Sequence, residues 1–580
     1  MYWAETAPDR ALLSWLTPGG SGRRKVLTYA EAGEAVRSVG QILLDRGVSA
    51  DRPLAILSGN DVHHLLLALA AQHVGVPFAP ISPAYSLASS EFAALRHVIG
   101  LLTPGLVFVA DRAPFERAIA AAIAHLRQGS GGQGADVEII TSGQVERFAG
   151  GRATGEVDRR HAAIAPDAVA KILFTSGSTG TPKGVVNTHR MICSNQQMIL
   201  QTLPFLGEAP PVLVDWLPWH HTFGGNHNIG LVIYNGGSLH IDEGRPLPGQ
   251  FEASVRNLRE IAPTLYLNVP KGYEELARVL RRDAAFARHF FGRVRVLFYA
   301  AASLSQHLSD ELQALAVAAC GERLVLITGL GSTETAPMAV CRPWPSDLPS
   351  AIGLPVPGVE AKVAPAGEKL ELRVRGPNVT PGYWRQDELT RAAFDDEGFY
   401  CMGDAVRPAD AGDVAKGLLF DGRIKEDFKL STGTWVSVGP LRARIVQHFA
   451  PFARDAVITG ENQDEVGVLV VPDVDACRTL CADLPDGTCA AADVIGHRDV
   501  RARFHQLLAA FARQATGSAS RVTRALVLTE PPSLDAGEIT DKGSINQRVM
   551  LARRRAAVDA LYAAGPPPTV ISIAPGSRLE

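Results

Sequence analysis

Between Lys171 and Gly184 the chain reads KILFTSGSTGTPKG. Ile172, Leu173 and Phe174 form an apolar, β-prone run that reads as a buried strand. From Thr175 to Gly184 the composition turns to Thr, Ser and Gly, with one Pro and one Lys. A buried strand that empties into such a loop is built to meet phosphate. Glycines let backbone N–H groups close on the oxygens, hydroxyls add donors, and Lys183 adds charge. It is not a Walker A loop, which has Gly before Lys and Ser or Thr after it; here Pro182 precedes Lys183 and Gly184 follows.

The rest of the chain alternates helix and strand around this loop. Thr28 and Glu31 have capping-box spacing, and Val36, Val39, Leu43 and Leu44 then share one helical face that Gly47 can end. Leu54 to Leu57 predicts a short buried strand, Asp61 to Val74 a helix, and Pro77 to Ile81 an extended segment. This βαβ rhythm implies a parallel sheet covered by helices. The low-complexity stretch RQGSGGQG at 127–134 predicts a surface loop. A second βα rhythm runs from Thr264 to Gly331. Its strand Val294 to Tyr299 leads into Ala300, Ala301, Ala302 and Ser303, and its strand Leu324 to Thr328 into Gly329-Leu330-Gly331-Ser332-Thr333-Glu334. Both loops would lie beyond the carboxyl ends of strands, where open α/β sheets bind ligands. From about Gly353 the texture shifts to short strands with Pro and Gly turns, ending near Asp421. The remainder predicts an α+β unit with a hairpin at 457–471, a helix from Val500 to Arg513 and a strand from Ala525 to Leu528.

With 580 residues the chain exceeds one core, and roughly three or four domain-sized units are expected. Hydrophobic residues at 46% and charged residues at 20% fit a globular protein. Lysine plus arginine total 57 against 60 aspartate plus glutamate, a net charge of −3 that offers no electrostatic case for nucleic acid or an anionic membrane. The seven cysteines are scattered with no C-x-x-C pair, which fits thiols in a reducing cytosol. The start, MYWAETAPDR, has no secretory pattern, and the apolar stretch Leu65 to Ile81 is broken by Gln72, His73, Gly75 and Pro77, so no membrane span is expected. Cytoplasmic location follows as the expectation.

The loop at 175–184 is similar to the phosphate-binding signature of the adenylate-forming ligases, the superfamily of acyl-CoA synthetases, luciferases and peptide-synthetase adenylation domains. Further segments match in the superfamily's order. Gly331-Ser332-Thr333-Glu334 resembles the G-x-T-E box, with Leu330 where an aromatic residue is usual. Tyr400-Cys401-Met402-Gly403-Asp404 resembles Y-x-T-G-D, with Met402 in place of Thr. Asp421-Gly422-Arg423-Ile424-Lys425 resembles the D-G-R-x-D/K element. Ser431 to Val438 stands where S-G-G-x-x-V-x-P is usual, with one Gly and the Pro replaced. Glu538 to Arg548 resembles the catalytic-lysine segment, with Gly543 after Lys542 rather than before it. Trp216 to Gly224, WLPWHHTFG, resembles L-P-x-x-H-x-x-G. Within the superfamily, WLPWHHTFGGNHNIGLVIYNGG and Asn268 to Tyr273 look most like bacterial feruloyl-CoA synthetases.

The resemblance implies an α/β fold: a large N-terminal domain of stacked βαβ-type sheets over 1–422, with a β-rich subdomain at about 353–422, and a small mobile α+β lid over 423–580 that hinges near Lys425. It implies ATP, Mg²⁺ and coenzyme A as cofactor and co-substrates and a small aromatic carboxylic acid as partner, and it is compatible with a homodimer. Thr175, Ser176, Gly177, Ser178, Thr179, Gly180, Lys183, Ala301, Leu330, Asp404 and Arg423 would bind ATP, with Asp404 on the ribose. Lys542, Thr333, Glu334 and His221 would be catalytic, and Glu334 would also hold Mg²⁺. His221, Gly225, Asn226, Ala300, Gly329 and Gly331 would contact the acid, and Lys429 and Gly433 would lie in the loop on the CoA side. Small residues at Ala300, Gly329 and Gly331 would leave a slot for a flat chain, with Asn226 and His227 as partners for a ring hydroxyl. His220 and His227 have no carboxylate or cysteine frame that would make them a metal site. Loading of a separate carrier protein, an oxygenation after adenylation as in luciferases, a medium-chain or other aryl acid, and a nucleotide-binding module without turnover are the alternatives.

Overall fold

The computed structural model describes residues 1–17, 22–129, 137–175, 181–247, 249–300, 304–348, 350–484, 489–540 and 543–573. The helix Tyr29–Asp45 starts on the expected capping box: Thr28 accepts from the Glu31 amide, and the Glu31 carboxylate accepts from the Thr28 amide at 2.8 Å. Such a cap is worth ~1 kcal/mol. Leu54–Ile56, Val62–His73 and Phe78–Pro80 follow as strand, helix and strand. They belong to a six-stranded sheet ordered Glu138–Ile140, Leu106–Phe108, Leu54–Ile56, Phe78–Pro80, Val169–Thr175 and Lys183–Thr188. Its strands are parallel except the last, which turns back on Val169–Thr175. The strand that feeds the phosphate-type loop is thus an inner strand, and Ile172 and Leu173 are fully buried.

A nine-stranded sheet carries the second βα rhythm. Leu265–Asn268, Val296–Tyr299 and Val325–Gly331 run parallel. Met338–Arg342, Ala351–Pro355, Leu418–Arg423, Tyr400–Pro408, Lys369–Arg375 and Glu360–Ala366 continue the same sheet with antiparallel neighbours. The change of texture at Gly353 is therefore not a break in the sheet. Ala351–Pro355 pairs with Met338–Arg342 on one side and Leu418–Arg423 on the other, so it joins the β-rich part to the parallel part. A smaller sheet packs Ser238–Ile241 and Val212–Asp215 beside Ala11–Leu16 and Arg24–Thr28.

Two expectations need correction. The segment 127–134 is not loop from its start: the helix Arg112–Gly129 runs through Arg127 and Gln128, carried by the alanine-rich run Ala118 to Ala124. Residues 130–136 lie outside the described set. The strand expected to end at Thr328 continues to Gly331, because Met338–Arg342 supplies a partner ladder that pairs Gly329 with Cys341 and Leu330 with Val340.

After residue 427 the chain builds cores of its own. Phe428, Ile445, Phe449, Val468, Phe504 and Phe511 are among the members of one apolar cluster, and Val457, Leu469, Met550 and Leu561 of another; every residue of both lies between 428 and 573. Ala453–Thr459 and Val466–Pro472 form the expected hairpin, extended by Val522–Val527 and Val570–Ser572. Among the described residues, no helix is long and apolar enough to cross a membrane.

Candidate active site

Thr175 and Lys183 are cross-strand partners, so the loop between them starts and ends at one place on the sheet. Ser176, Gly177, Ser178, Thr179 and Gly180 lie outside the described residues. At the mouth of the loop the Thr175 Oγ1 is buried with no hydrogen-bond partner. A buried hydroxyl left without a partner costs free energy that a phosphate oxygen would recover. Lys183 Nζ lies 3.0 Å from Glu334 Oε1 and also donates to the Tyr383 hydroxyl, which in turn donates to the same Oε1 at 3.0 Å.

Glu334 sits in the short helical turn Thr333–Thr335 that follows the strand Val325–Gly331, and it is 5% exposed. Burial pushes its carboxyl up, but the Lys183 charge, the Lys183 hydrogen bond and the Tyr383 hydroxyl outweigh that, so it is held below its ordinary value. Lys183 is raised: burial works against its charge, and Glu334 overcomes the penalty. The result is an ion pair in which a buried carboxylate and a partly buried lysine each favour the other's charge. Among the described residues, no group of three or more His, Cys, Asp and Glu side chains could hold a metal ion. A lone ionised carboxylate beside a phosphate-type loop fits Mg²⁺, which takes one or two carboxylates and fills its remaining positions with phosphate oxygens and water.

Asp404 and Arg423 are also cross-strand partners, on Tyr400–Pro408 and Leu418–Arg423. Arg423 Nε stands 2.9 Å from Asp404 Oδ1, yet that buried oxygen makes no hydrogen bond because the approach is off-line. Burial pushes the Asp404 carboxyl up to about 6, Arg423 pulls it down, and Glu426, Glu334 and Glu371 push it further up. An acceptor with an unfilled hydrogen bond suits a hydroxyl donor. Leu330 lies in the strand, half-buried against the cluster of Val340, Met402 and Val406. Met402 is itself buried in that cluster, so the replacement of Thr there is a packing choice.

Gly329 and Gly331 have a backbone reason to be small. A Cβ on Gly331 would stand 1.8 Å from the Pro337 carbonyl oxygen, and one on Gly329 2.5 Å from that of Val340. The hairpin requires glycine at both positions. Ala300 follows the strand Val296–Tyr299 and packs half-buried on the main core. Ala301 lies outside the described residues.

The segment after Pro218 folds into a π-helix, Phe223–Asn228, a form that recurs at functional sites. Its glycines let it press on the preceding turn: a Cβ on Gly225 would lie 2.1 Å from the Trp219 carbonyl oxygen. The Gly225 carbonyl accepts from Lys171 Nζ at 3.0 Å. That lysine is fully buried, which pushes it down to about 7. His221 stacks at 4.4 Å, tilted, on His220. Asn226 donates to Asn187 Oδ1 at 2.6 Å and to Thr222 Oγ1 at 3.1 Å, and its buried Oδ1 has no partner.

His227 is the most defined group of this end. Asn228 Nδ2 donates to Asp215 Oδ2 at 2.9 Å, which turns Asn228 Oδ1 toward His227 Nδ1, also at 2.9 Å. This assigns the proton to Nδ1 and leaves Nε2 a bare acceptor, buried and without a partner. The ring stacks on Phe298 at 5.2 Å and meets Phe223 edge-on at 5.7 Å. Burial pushes its pKa down to about 4, so the imidazole is neutral at pH 7.

The C-terminal site residues lie elsewhere. Lys425 is exposed in a turn closed by Glu426 and Asp427 amides on the Arg423 carbonyl. Lys429 and Gly433 fall in the small hairpin Phe428–Lys429 and Trp435–Val436, where Lys429 pairs with Glu368 at 2.9 Å. Lys542 lies outside the described residues. On either side of it, the Thr540 amide donates to the Ser544 carbonyl at 2.8 Å, and Ile539 bridges Ile545.

Sequence reasoning read Tyr383 only as part of a Pro-Gly turn and Lys171 only as the start of an apolar run. Tyr383 shares Glu334 with Lys183, 200 positions away, and no local pattern announces that. A lysine ahead of Ile172 in a strand buried on both faces was the one available signal for Lys171.

The AMP-binding enzyme family matches residues 2–384, and the AMP-binding enzyme C-terminal domain matches 426–565. The chain is 27% identical to a probable CoA ligase of Humulus lupulus over 334 residues, 53% of this chain and 52% of that protein. It thus spans about half the length of that relative. It is 23% identical over 511 residues to the chloroplastic long-chain-fatty-acid–[acyl-carrier-protein] ligase of Arabidopsis thaliana, covering 73% of this chain and 66% of that one. Its fold resembles the A domain of carboxylic acid reductase from Segniliparus rugosus in complex with AMP and a co-purified carboxylic acid, with TM-score 0.69, 18% identity, and 97% of this chain and 93% of that chain covered. With the family matched over well more than half of its length, and with a buried Lys–Glu pair at the mouth of a phosphate-type loop, the chain belongs to the AMP-binding enzymes of the adenylate-forming superfamily.

Proposed function

We propose that this chain is an ATP-dependent, AMP-forming carboxylic acid–CoA ligase whose acid is a hydroxycinnamate such as ferulate. The observation that carries the ligase reading is the Lys183–Tyr383–Glu334 network beside the unpartnered Thr175 hydroxyl, with the unfilled Asp404 acceptor on the sheet whose strand Val325–Gly331 leads to Glu334. The choice of acid rests on His227. Its tautomer leaves an uncharged acceptor between Phe223 and Phe298, matched to a phenolic O–H on a flat ring. The chain would divide into an N-terminal domain over 1–422, β-rich from about 353, and a lid over 423–580.

In the first step a carboxylate oxygen of the acid attacks the α-phosphorus, and the bond to the bridging oxygen breaks to release pyrophosphate. Lys183, Thr175 and Thr333 hold phosphate oxygens, Asp404 accepts from the ribose hydroxyls, and Lys542 meets the charge that develops on phosphorus. Mg²⁺, held by Glu334, would neutralise phosphate charge. His221 lies beside the carboxylate. In the second step the CoA sulfur attacks the acyl carbon, the bond to AMP breaks, and the thiol proton passes to solvent. The lid would turn about Lys425 between the steps, carrying Lys542 out and Lys429 and Gly433 in.

The test measures pyrophosphate release and thioester formation across a panel of acids, with and without CoA. Hydroxycinnamates should exceed cinnamate and octanoate in kcat/KM, and thioester should form with CoA alone. A higher kcat/KM for octanoate would refute the aryl acid but leave the ligase standing. Pyrophosphate release without any CoA thioester would point to a carrier protein as acceptor.

A further inference from the structure

The segment that carries Lys542 is tied down twice. One tie is internal to the C-terminal part. Glu538 is 2% exposed and takes Arg554 at two points, Nε at 2.9 Å and Nη2 at 3.0 Å, while its second oxygen also accepts from the Ser533 amide at 2.9 Å. The Asn546 amide donates to the Glu538 carbonyl at 2.9 Å. Ser533 and Asn546 are thereby linked to Glu538, and Glu538 joins them to Arg554, the residue after the helix Gln547–Arg553. A charge-assisted pair with this burial fixes Glu538 against Arg554.

The other tie crosses to a part of the chain 445 positions away. The Asp535 carboxylate accepts from the Ser89 hydroxyl, from the Ser90 amide at 3.0 Å, from the Ser90 hydroxyl at 3.1 Å and from the Glu91 amide at 3.4 Å. These bonds hold its pKa below the ordinary value against the opposing effect of burial. Next to it, Leu534 packs on the cluster that contains Phe92, with Phe174 and Trp384 among its other partly buried neighbours.

The receiving side is built around the helix Ala93–Leu102. Ser89 Oγ accepts from the Phe92 amide at 2.7 Å, and Phe92 takes φ +54°, a left-handed conformation uncommon for a bulky residue. On the same helix His97 Nε2 bonds the Pro182 carbonyl at 2.8 Å. Pro182 precedes Lys183 at the end of the phosphate-type loop. One helix therefore touches the 533–546 segment at its start and the phosphate loop through its side.

We propose that Asp535 is a positioning residue for adenylate formation: its bonds to Ser89, Ser90 and Glu91 seat the Lys542 segment against the helix that borders the phosphate loop, and they release when the lid turns for thioester formation. This rests on the reading of Lys542 given above. The Glu538–Arg554 tie travels with the lid and stays intact, whereas the Asp535 tie spans the two parts and has to open. Weakening it favours the turned state without changing any group that touches substrate.

The experiment uses the full chain with Asp535→Ala, Ser90→Ala and Lys542→Ala. ATP–pyrophosphate exchange reports adenylate formation, and thioester formation from supplied acyl-adenylate and CoA reports the second step. For Asp535→Ala, exchange should fall ~10-fold in kcat with KM for ATP unchanged, and the second step should hold or rise. Ser90→Ala should show the same split more weakly, and adding it to Asp535→Ala should cost less than the sum of the two. Ser90→Ala carries the test alone if Asp535→Ala lowers the melting temperature enough to leave it unfolded. Equal loss in both half-reactions, or no loss in either, overturns the proposal. Lys542→Ala separates the two readings. If it leaves exchange intact, the role of Lys542 fails and Asp535 loses its purpose; if it abolishes exchange while Asp535→Ala does nothing, only the positioning role fails.

Discussion

The two ends of the site solve the same problem in opposite ways. Beside the phosphate-type loop, proposed as the nucleotide end, buried Glu334 and partly buried Lys183 pair, and each favours the other's charge. On the π-helix Phe223–Asn228, proposed as the acyl end, His227 is buried without an ionic partner and gives up its proton, while Asn228 and Asp215 decide which nitrogen stays bare. A buried charge is tolerated only when paired, so the paired end suits phosphate and the unpaired end suits an uncharged hydroxyl. Asp404 falls between the two. Its partner Arg423 is 55% exposed in its side chain, so burial wins and the carboxyl rises to about 6.

That contrast can be broken at the nucleotide end first. On the role proposed for Lys542, Lys542→Ala should lower ATP–pyrophosphate exchange by ~10³-fold, because the charge that this role assigns to the transition state is lost, while thioester formation from supplied adenylate survives. Glu334→Gln keeps the shape and removes the charge. Exchange should fall ~10²-fold, and urea unfolding should show a loss of ~1–3 kcal/mol, since the partly buried Lys183 is left with a neutral partner. A variant as stable as the parent would mean the pair is not desolvated as described.

At the acyl end the expected effect is selective rather than global. His227→Leu should reduce the preference for 4-hydroxycinnamate over cinnamate by ~10–100-fold in kcat/KM and leave the rate with cinnamate little changed. If both acids suffer alike, His227 is a packing residue. The smallest effect is a pH dependence. Asp404 has to be ionised to accept from both ribose hydroxyls, so KM for ATP should rise as pH falls below about 6, and Asp404→Asn should flatten that rise. The stability effect has the reverse sign. A carboxyl raised in the folded state favours folding most below its unfolded value of 3.8, and that contribution is lost as pH rises through about 6. As pH falls, affinity for ATP should therefore drop while this residue's contribution to the unfolding midpoint grows.

Motif residues were legible wherever the chemistry is local. The capping box at Thr28 needs only Glu31, and the buried strand before Thr175 needs only its own apolar run. The G-x-T-E and G-D segments likewise announced Glu334 and Asp404. Less was legible where a residue's role depends on a distant strand. Leu330 and Gly331 read as loop and are strand, because Met338–Arg342 folds back to pair with them. Gly329 and Gly331 read as space for substrate, yet their missing side chains are what lets that hairpin close.

From sequence alone came the superfamily, the α/β class, the order of its motif segments and the charges proposed to meet ATP, since each is written in residues a few positions apart. Tertiary structure decided the electrostatic state of those charges. Whether Glu334 is favoured as a carboxylate depends on Lys183 and Tyr383, whether His227 offers a donor or an acceptor depends on Asn228 and Asp215, and what the Asp535 carboxylate bonds depends on Ser89 and Ser90. Burial and pairing set these properties, and both are created when strands and helices far apart in the chain close over one another.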